Sequence, residues 1–334
     1  MRGKPRILVA GSLVMDLIAV TDRAPGSGET VVGHSFRTAP GGKGANQAVQ
    51  CARLGAEVSL IGQVGGDPFG RELIAAAAKA GVDVEHVGTD EGISSGVGHV
   101  LLENRGTGTQ NRITVVPGAN FTMRPEQAAW LKEAIGRFDM VMLQLEISPE
   151  VNLTVAQYAR EAGVPVMLNP APAPKCAIPT ELLSCVTFLS PNEQEAAAIA
   201  GLPLRREAAG IREDDLRPIA AALEKKGVEH VIITLGADGS AAIGPEGMFR
   251  TPAVRMPAVR DPTAAGDSFV ASFCTGLSAG LAMKDALAFA GHAAALTVTR
   301  MGAMPSLPTL AEVRELLRQR GYAGFDPALL DVLC

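Results

Sequence analysis

The chain has 334 residues, long enough to bury a sizeable core, and its 47% hydrophobic and 19% charged content is that of an ordinary globular protein. A formal net charge of −5 with no dense basic cluster argues against nucleic-acid or anionic-membrane partners, which need a concentrated positive face. Cys51, Cys176, Cys185, Cys274 and Cys334 are scattered and form no CxxC pair, so neither a disulfide framework nor a zinc site is expected.

A reduced, cytoplasmic setting is the simplest expectation, since no apolar run approaches a membrane span and no secretory pattern precedes Ile7. With ten phenylalanines, two tyrosines and one tryptophan, the core must be built mostly from Ala, Val, Leu and Ile.

In chain order, Ile7–Ala10 reads as a buried strand and Thr30–Arg37 as a strand with no helix before it. Gly44–Leu54 reads as a helix, Glu57–Gly62 as a strand and Pro68–Ala80 as a helix. The stretch Val97–Val116 again looks like strands without an intervening helix. Then come a helix at Pro125–Ile135, a strand at Met140–Leu145, a helix at Pro149–Ala162 and strands at Pro165–Leu168 and Val186–Leu189. A helix at Leu216–Lys226 leads to a strand at His230–Thr234, and the last third is helical over Ala265–Gly280, Lys284–Thr299 and Leu310–Arg320.

Gly81, Gly163 and Gly227 each end a helix just before a valine that opens the next extended run. Repeated helix–Gly–strand units predict an α/β fold, a central mostly parallel sheet with helices on both faces. The two helix-free regions predict a small separate β-sheet projecting from it.

Two motifs carry chemistry. Pro40-Gly41-Gly42-Lys43-Gly44-Ala45-Asn46-Gln47-Ala48 opens a helix after an expected strand. Its glycines let backbone approach a ligand closely, and Lys43 and Asn46 offer polar contacts at a helix N-terminus. It is no Walker loop, because Gly44 follows Lys43, and a glycine-rich turn with a solvated lysine is the plain alternative. The second motif is Asp261-Pro262-Thr263-Ala264-Ala265-Gly266-Asp267-Ser268-Phe269. Small residues there leave backbone N–H groups bare for a transferring phosphate, and Asp267 on the first turn can take a proton from an attacking hydroxyl. The plain alternative is an aspartate that complements the helix dipole.

Together these motifs resemble the two signatures of the ribokinase-type (pfkB) carbohydrate kinases. Gly11-Ser12 with Asp16, Gln144-Leu145-Glu146, Asn169-Pro170-Ala171-Pro172, Pro191-Asn192-Glu193, Thr234-Leu235-Gly236 and Val298-Thr299-Arg300 agree in order, so the likeness spans nearly the whole chain. It implies one kinase domain over 1–334, with the small sheet, from about 17–40 and 96–118, as a lid over the sugar and a homodimer interface. It implies transfer of the γ-phosphate of ATP to a hydroxyl of a pentose-sized sugar, ribose first. Other sugars, deoxysugars and nucleosides are the alternatives within the family, and a sugar-binding regulator the alternative outside catalysis. A nicotinamide-dependent oxidoreductase is disfavoured, because no Gly-x-Gly-x-x-Gly follows the first strand.

By the same resemblance, Asp16, Gly42, Lys43, Asn46 and Glu146 hold the sugar, and Asp267 is the base, with the amides of Ala265 and Gly266 as anion hole. Asn192, Thr234 and Gly236 match ATP phosphate contacts, and Glu195 organises Mg2+ through water. Asp261, Thr263, Thr297, Arg300, Gly302 and Ser306 match a K+ loop. Three places depart from the family pattern. Val14 stands where asparagine is common, Pro262 removes a backbone N–H from the cation loop, and Gly291 stands where a polar residue often faces adenine, with His292 one step later. His34, His86, His99 and His230 show no metal-ligand spacing, Cys274 reads as core, and Arg112 on the lid reads as solvent-facing.

Overall fold

A computed structural model describes residues 3–104, 109–174, 176–206 and 210–334. The first half contains β1 (Arg6–Ala10), β2 (Val14–Thr21), β3 (Ser35–Gly41), α1 (Lys43–Arg53), β4 (Glu57–Gly65), α2 (Pro68–Lys79), β5 (Val82–Asp83), β6 (Val87–Asp90), β7 (Gly96–Asn104) and β8 (Thr109–Val116). Next come α3 (Leu131–Ala134), β9 (Met140–Gln144), α4 (Pro149–Glu161), β10 (Val166–Asn169), α5 (Thr180–Leu183), β11 (Phe188–Leu189) and α6 (Glu193–Ala200). The chain ends with α7 (Glu213–Glu224), β12 (His230–Thr234), β13 (Ser240–Gly244), β14 (Gly247–Thr251), α8 (Ala265–Ser278), α9 (Met283–Thr297) and α10 (Leu310–Gln319).

The large sheet runs β14-β13-β12-β11-β10-β9-β1-β4-β5, with β6 also pairing β4. It is parallel from β12 to β5, and β13 and β14 close one edge antiparallel. Its strands are apolar without alternation because both faces are covered. The strand period of two sorts them into two cores. Ile7, Val9, Met140, Met142, Met167 and Ile232 pack with α1, α2, α8, α9 and α10. Leu8, Ala10, Val141, Leu143, Val166, Leu168 and Val231 pack on the other side with α3 to α7. Cys274 is fully buried in the first core, as its apolar helix predicts.

The small sheet runs β3-β2-β7-β8, with β2–β7 parallel and the outer pairs antiparallel. It begins earlier than expected, at Val14. Residues 30–34 are not in a strand, and β3 starts only at Ser35. Val32 is 88% exposed there, so an extended run at that point buries nothing. The helix expected over Pro125–Ile135 is a short α3 flanked by 3-10 turns, which still bury Ala128, Leu131 and Ile135 together. No described helix is long and apolar enough to cross a membrane.

Candidate active site

The site lies beyond the carboxyl ends of the parallel strands, where open α/β sheets place their ligands. Gln144 ends β9, Asn169 ends β10, and Thr234 ends β12 beside Asn192, to which it is bridged. The starts of α1 and α8 face the same space.

The glycine-rich motif works by close approach. A Cβ on Gly44 would meet Gly11 and Ser12 backbone at 2.4 Å, so only glycine lets α1 begin against the loop after β1. Ser12 then joins three elements. Its carbonyl accepts from Ala45 N–H, its hydroxyl accepts from Gly44 N–H, and the same hydroxyl donates to Glu146 Oε2 at 2.5 Å. Glu146 also accepts the Lys43 amide at 3.0 Å.

Asp267, on the first turn of α8, is 6% exposed and held at both oxygens. Asn46 donates to Oδ2 at 2.9 Å and Gln47 to Oδ1 at 3.1 Å. Gln47 also donates to Asn169 Oδ1, and its own carbonyl accepts from Gln144 at 2.7 Å. This amide chain ties Asp267 to the strand ends across the sheet. Asn46 Oδ1 is left buried without a partner among the described residues, an acceptor waiting for a donor.

The Ala265 amide, expected to be free for a phosphate, is not. Ala264, at φ 60, caps α8 in the left-handed conformation, and the Ala265 N–H is taken by the Pro262 carbonyl at 3.2 Å. At this helix start, the amides without an acceptor among the described residues are those of Ala264, Gly266 and Asp267. A left-handed alanine is a strained choice, of the kind found where geometry is fixed for function.

The carboxylates Asp16, Glu146, Asp261 and Asp267 share this space. Burial, then the charges of Glu146, Asp261 and Asp267, push Asp16 up to about 6. Burial alone would lower Lys43, but the carboxylates of Asp267, Glu146 and Glu195 hold its ammonium above the ordinary value. Asp16 sits between two glycines of the neighbouring strands. A Cβ on Gly98 would fall 2.5 Å from Asp16 Oδ1, and one on Gly41 3.0 Å from Oδ2.

A cavity of about 220 Å³ is lined by Lys43, Asn169, Glu195, Asn192, Gly266 and Asp267. Beside it lies a cavity of about 900 Å³, large enough for a nucleotide, and the two share Asn192, Thr234, Pro262 and Gly266 as walls. Gly236 lines the larger one, whose far end is apolar, with Val254, Met256, Phe269 and Val298. Gly291 lines it too. His292 turns away, its Nδ1 donating to the Ala288 carbonyl and its ring against Tyr322, and burial lowers its pKa.

Glu195 and Asn192 form a capping box at the start of α6: Asn192 Oδ1 accepts the Gln194 and Glu195 amides, and Glu195 Oε2 accepts the Asn192 amide. Burial raises Glu195, against the pull of the Asn192 amide and of Lys43. Asp261 accepts from Thr263 N–H at Oδ1 and Gly302 N–H at Oδ2, joining the two segments of the expected cation loop despite Pro262. Burial would raise its pKa, but Thr263, Gly302 and the charge of Arg37 lower it. The carbonyls of Asp261, Thr263, Arg300, Gly302 and Ser306 accept no hydrogen bond among the described residues, whereas that of Thr297 takes Arg300 N–H. The Arg300 side chain pairs with Glu312, and Ser306 Oγ donates to Ala303. Arg112 is ion-paired with buried Glu103 on the small sheet, away from both cavities.

Sequence reasoning missed Gln47 as a partner of Asp267, and gave Gln144 and Asn169 no role. The available signal was polarity at the carboxyl ends of otherwise apolar strands.

Residues 4–310 match the pfkB family carbohydrate kinase model. The chain is 37% identical over 317 residues to a ribokinase of Lactococcus lactis, covering 94% of this chain and 97% of that one. It is 32% identical to a deoxyribokinase of Salmonella typhi, covering 93% and 98% respectively. A solved structure of Arabidopsis thaliana ribokinase complexed with ribose and ATP superposes with a TM-score of 0.87 at 31% identity, over 95% of this chain and 99% of that one.

Proposed function

The chain belongs to the pfkB family of carbohydrate kinases, and from that premise we propose that it phosphorylates D-ribose with ATP, giving ribose 5-phosphate. The observation that carries this reading is the place of Asp267: a buried, doubly held carboxylate that lines a small polar cavity, next in sequence to Gly266, which is shared as a wall with the nucleotide-sized one.

In this reading Asp16 and Glu146 accept sugar hydroxyls, as carboxylates accept several donors at once, with Gly42, Lys43 and Asn46 beside them. The reacting hydroxyl donates to Asp267, which takes the proton as the oxygen attacks the γ-phosphorus and ADP leaves. Asn46 and Gln47 keep the carboxylate from turning. The Lys43 ammonium and the amides of Gly266 and Asp267 meet the negative charge of the phosphoryl group in flight. Asn192, Thr234 and Gly236 hold the ATP phosphates.

Two ions fit the residues present. Glu195 lines the small cavity and has one carboxylate oxygen uncommitted, which suits a hydrated Mg2+ that would neutralise phosphate charge. The uncommitted carbonyls of Asp261, Thr263, Arg300, Gly302 and Ser306 suit K+, with Thr297 closing the loop. The small sheet acts as lid. Ile113 and Val115, 55% and 51% exposed on one face of β8, suit a dimer interface.

A deoxypentose is the second reading, and Val14 favours it. It is 5% exposed, two residues before Asp16 on the same strand face, and offers a hydroxyl no hydrogen bond. The test is a panel of ribose, 2-deoxyribose, fructose and adenosine with ATP and Mg2+, coupled to ADP release. Preference for ribose is the expected result. Preference for 2-deoxyribose moves the substrate and keeps the mechanism, and binding without turnover overturns the kinase reading.

A further inference from the structure

Arg206 lies between α6 and α7, on no regular element, and its guanidinium joins two segments far apart in sequence. Nη2 donates to Glu193 Oε2 at 2.6 Å and to the Leu235 carbonyl at 3.1 Å, and Nη1 lies 2.8 Å from Asp238 Oδ2. Glu193 opens α6 directly after Asn192. Leu235 and Asp238 flank the turn that carries Gly236 and Ala237. Glu193, Gly236 and Ala237 all line the 900 Å³ cavity.

Glu193 is thus a carboxylate on the wall of a cavity suited to a polyanion, and Asp238 lies beside it, between the lining residues Ala237 and Gly239. Left unpaired, they would repel phosphates as they enter. A planar guanidinium can meet both at once, which a single ammonium does less well. The Arg206 side chain is 44% exposed, so solvent screens the pairing and its worth to the fold is small. Its effect falls on whatever charge enters the cavity.

We infer that Arg206 is a positioning residue for the nucleotide, neutralising Glu193 on the cavity wall and Asp238 beside it while tying α6 to the Gly236 turn, a role that rests on the large cavity being the ATP site. The experiment compares Michaelis constants for ATP and for the sugar in Arg206→Ala, in Glu193→Gln/Asp238→Asn, and in the triple variant. Arg206→Ala should raise the KM for ATP about tenfold and leave that for the sugar within about twofold, with the defect shrinking as salt is added. Arg206→Lys should recover only part of the loss. In the background without the two carboxylates, Arg206→Ala should change the KM for ATP by no more than about twofold, because nothing is left to neutralise. An equal loss in both backgrounds overturns the inference, as does a parallel rise for both substrates. A wild-type enzyme that turns over no sugar with ATP sinks the functional reading and this role with it. Normal wild-type turnover beside an unaffected Arg206→Ala sinks this role alone.

Discussion

Asp267 and Asp16 stand in one cluster of carboxylates, yet the protein surrounds them differently. Asp267 receives the amides of Asn46 and Gln47, and through Gln47 it is tied to Gln144 and Asn169. Asp16 receives no hydrogen bond among the described residues and has glycines on both sides, with three like charges in reach. The first is oriented before any substrate arrives, as a group that must meet a transition state should be. The second is left costly and unsatisfied, and in the proposed function a bound polyol supplies the donors it lacks. On that proposal a reaction centre and a recognition centre are told apart by who satisfies the carboxylate, the protein or the ligand.

The largest effect should come from breaking the first of them. Asp267→Asn keeps the shape and removes the proton acceptor, so turnover should fall by about 10²–10⁴-fold while the sugar binds nearly as before. A mild loss of rate would take Asp267 out of the base role. Asp16→Asn should instead act on binding, raising the KM for the sugar by about 10–100-fold, the usual weight of a hydrogen bond to a charged group. A loss confined to turnover would erase the distinction between the two.

The same residue predicts opposite trends with pH for binding and for stability. Burial and its like-charged neighbours push Asp16 up to about 6 when folded, against an ordinary 3.8, so between those values the folded chain keeps a proton that the unfolded chain has released. Stability therefore falls as pH rises through this window, and the penalty is complete above 6. Asp16→Asn should melt higher than the parent at pH 8, and the advantage should shrink as pH drops through 6. Sugar affinity should run the other way, tightening as pH rises through 6 and the ionised acceptor forms. Calorimetry and titration at pH 5 and 8 read both trends, and a variant that melts no higher at pH 8 contradicts the first.

Much of this fold is legible in the sequence, and the reasons are local. Strands buried on both faces, such as Ile7–Ala10 and His230–Thr234, read as unbroken apolar runs, and glycine before valine marks where a helix gives way to the next strand. The hairpin of β13 and β14 escapes such reading, because Ala241 and Ala242 carry little strand preference and gain their place by pairing with β12. The motifs name Asp267 and Lys43 without a structure. Gln47 is different: on a helix a glutamine reads as solvated, and only the fold brings Gln144 and Asn169 to it. The capture of the Ala265 amide by the Pro262 carbonyl, which leaves those of Gly266 and Asp267 free, goes with the left-handed turn at Ala264, which no residue pattern announces.

Asp261 extends the contrast to a third carboxylate, held by backbone amides where Asp267 is held by side-chain amides, and set among uncommitted carbonyls. Activity should rise with potassium chloride and not with sodium chloride at equal ionic strength. Equal rates in the two salts would reject the cation loop.

The smallest expected effect is the sharpest probe of the recognition side. Val14 sits on the same strand face as Asp16, so an asparagine there would offer a donor and an acceptor beside the ligand. One added hydrogen bond is worth about 0.5–1.5 kcal/mol net, so Val14→Asn should shift the ribose to 2-deoxyribose ratio of kcat/KM about fivefold toward ribose. Without sugar the buried amide is left partly unpaired, so the variant should melt below the parent and regain the difference when ribose is added. An unchanged ratio, with the same loss of stability whether or not sugar is present, would mean that another group already serves that hydroxyl. In that case Val14 is wall rather than selector, and Asp16 keeps the recognition role without it.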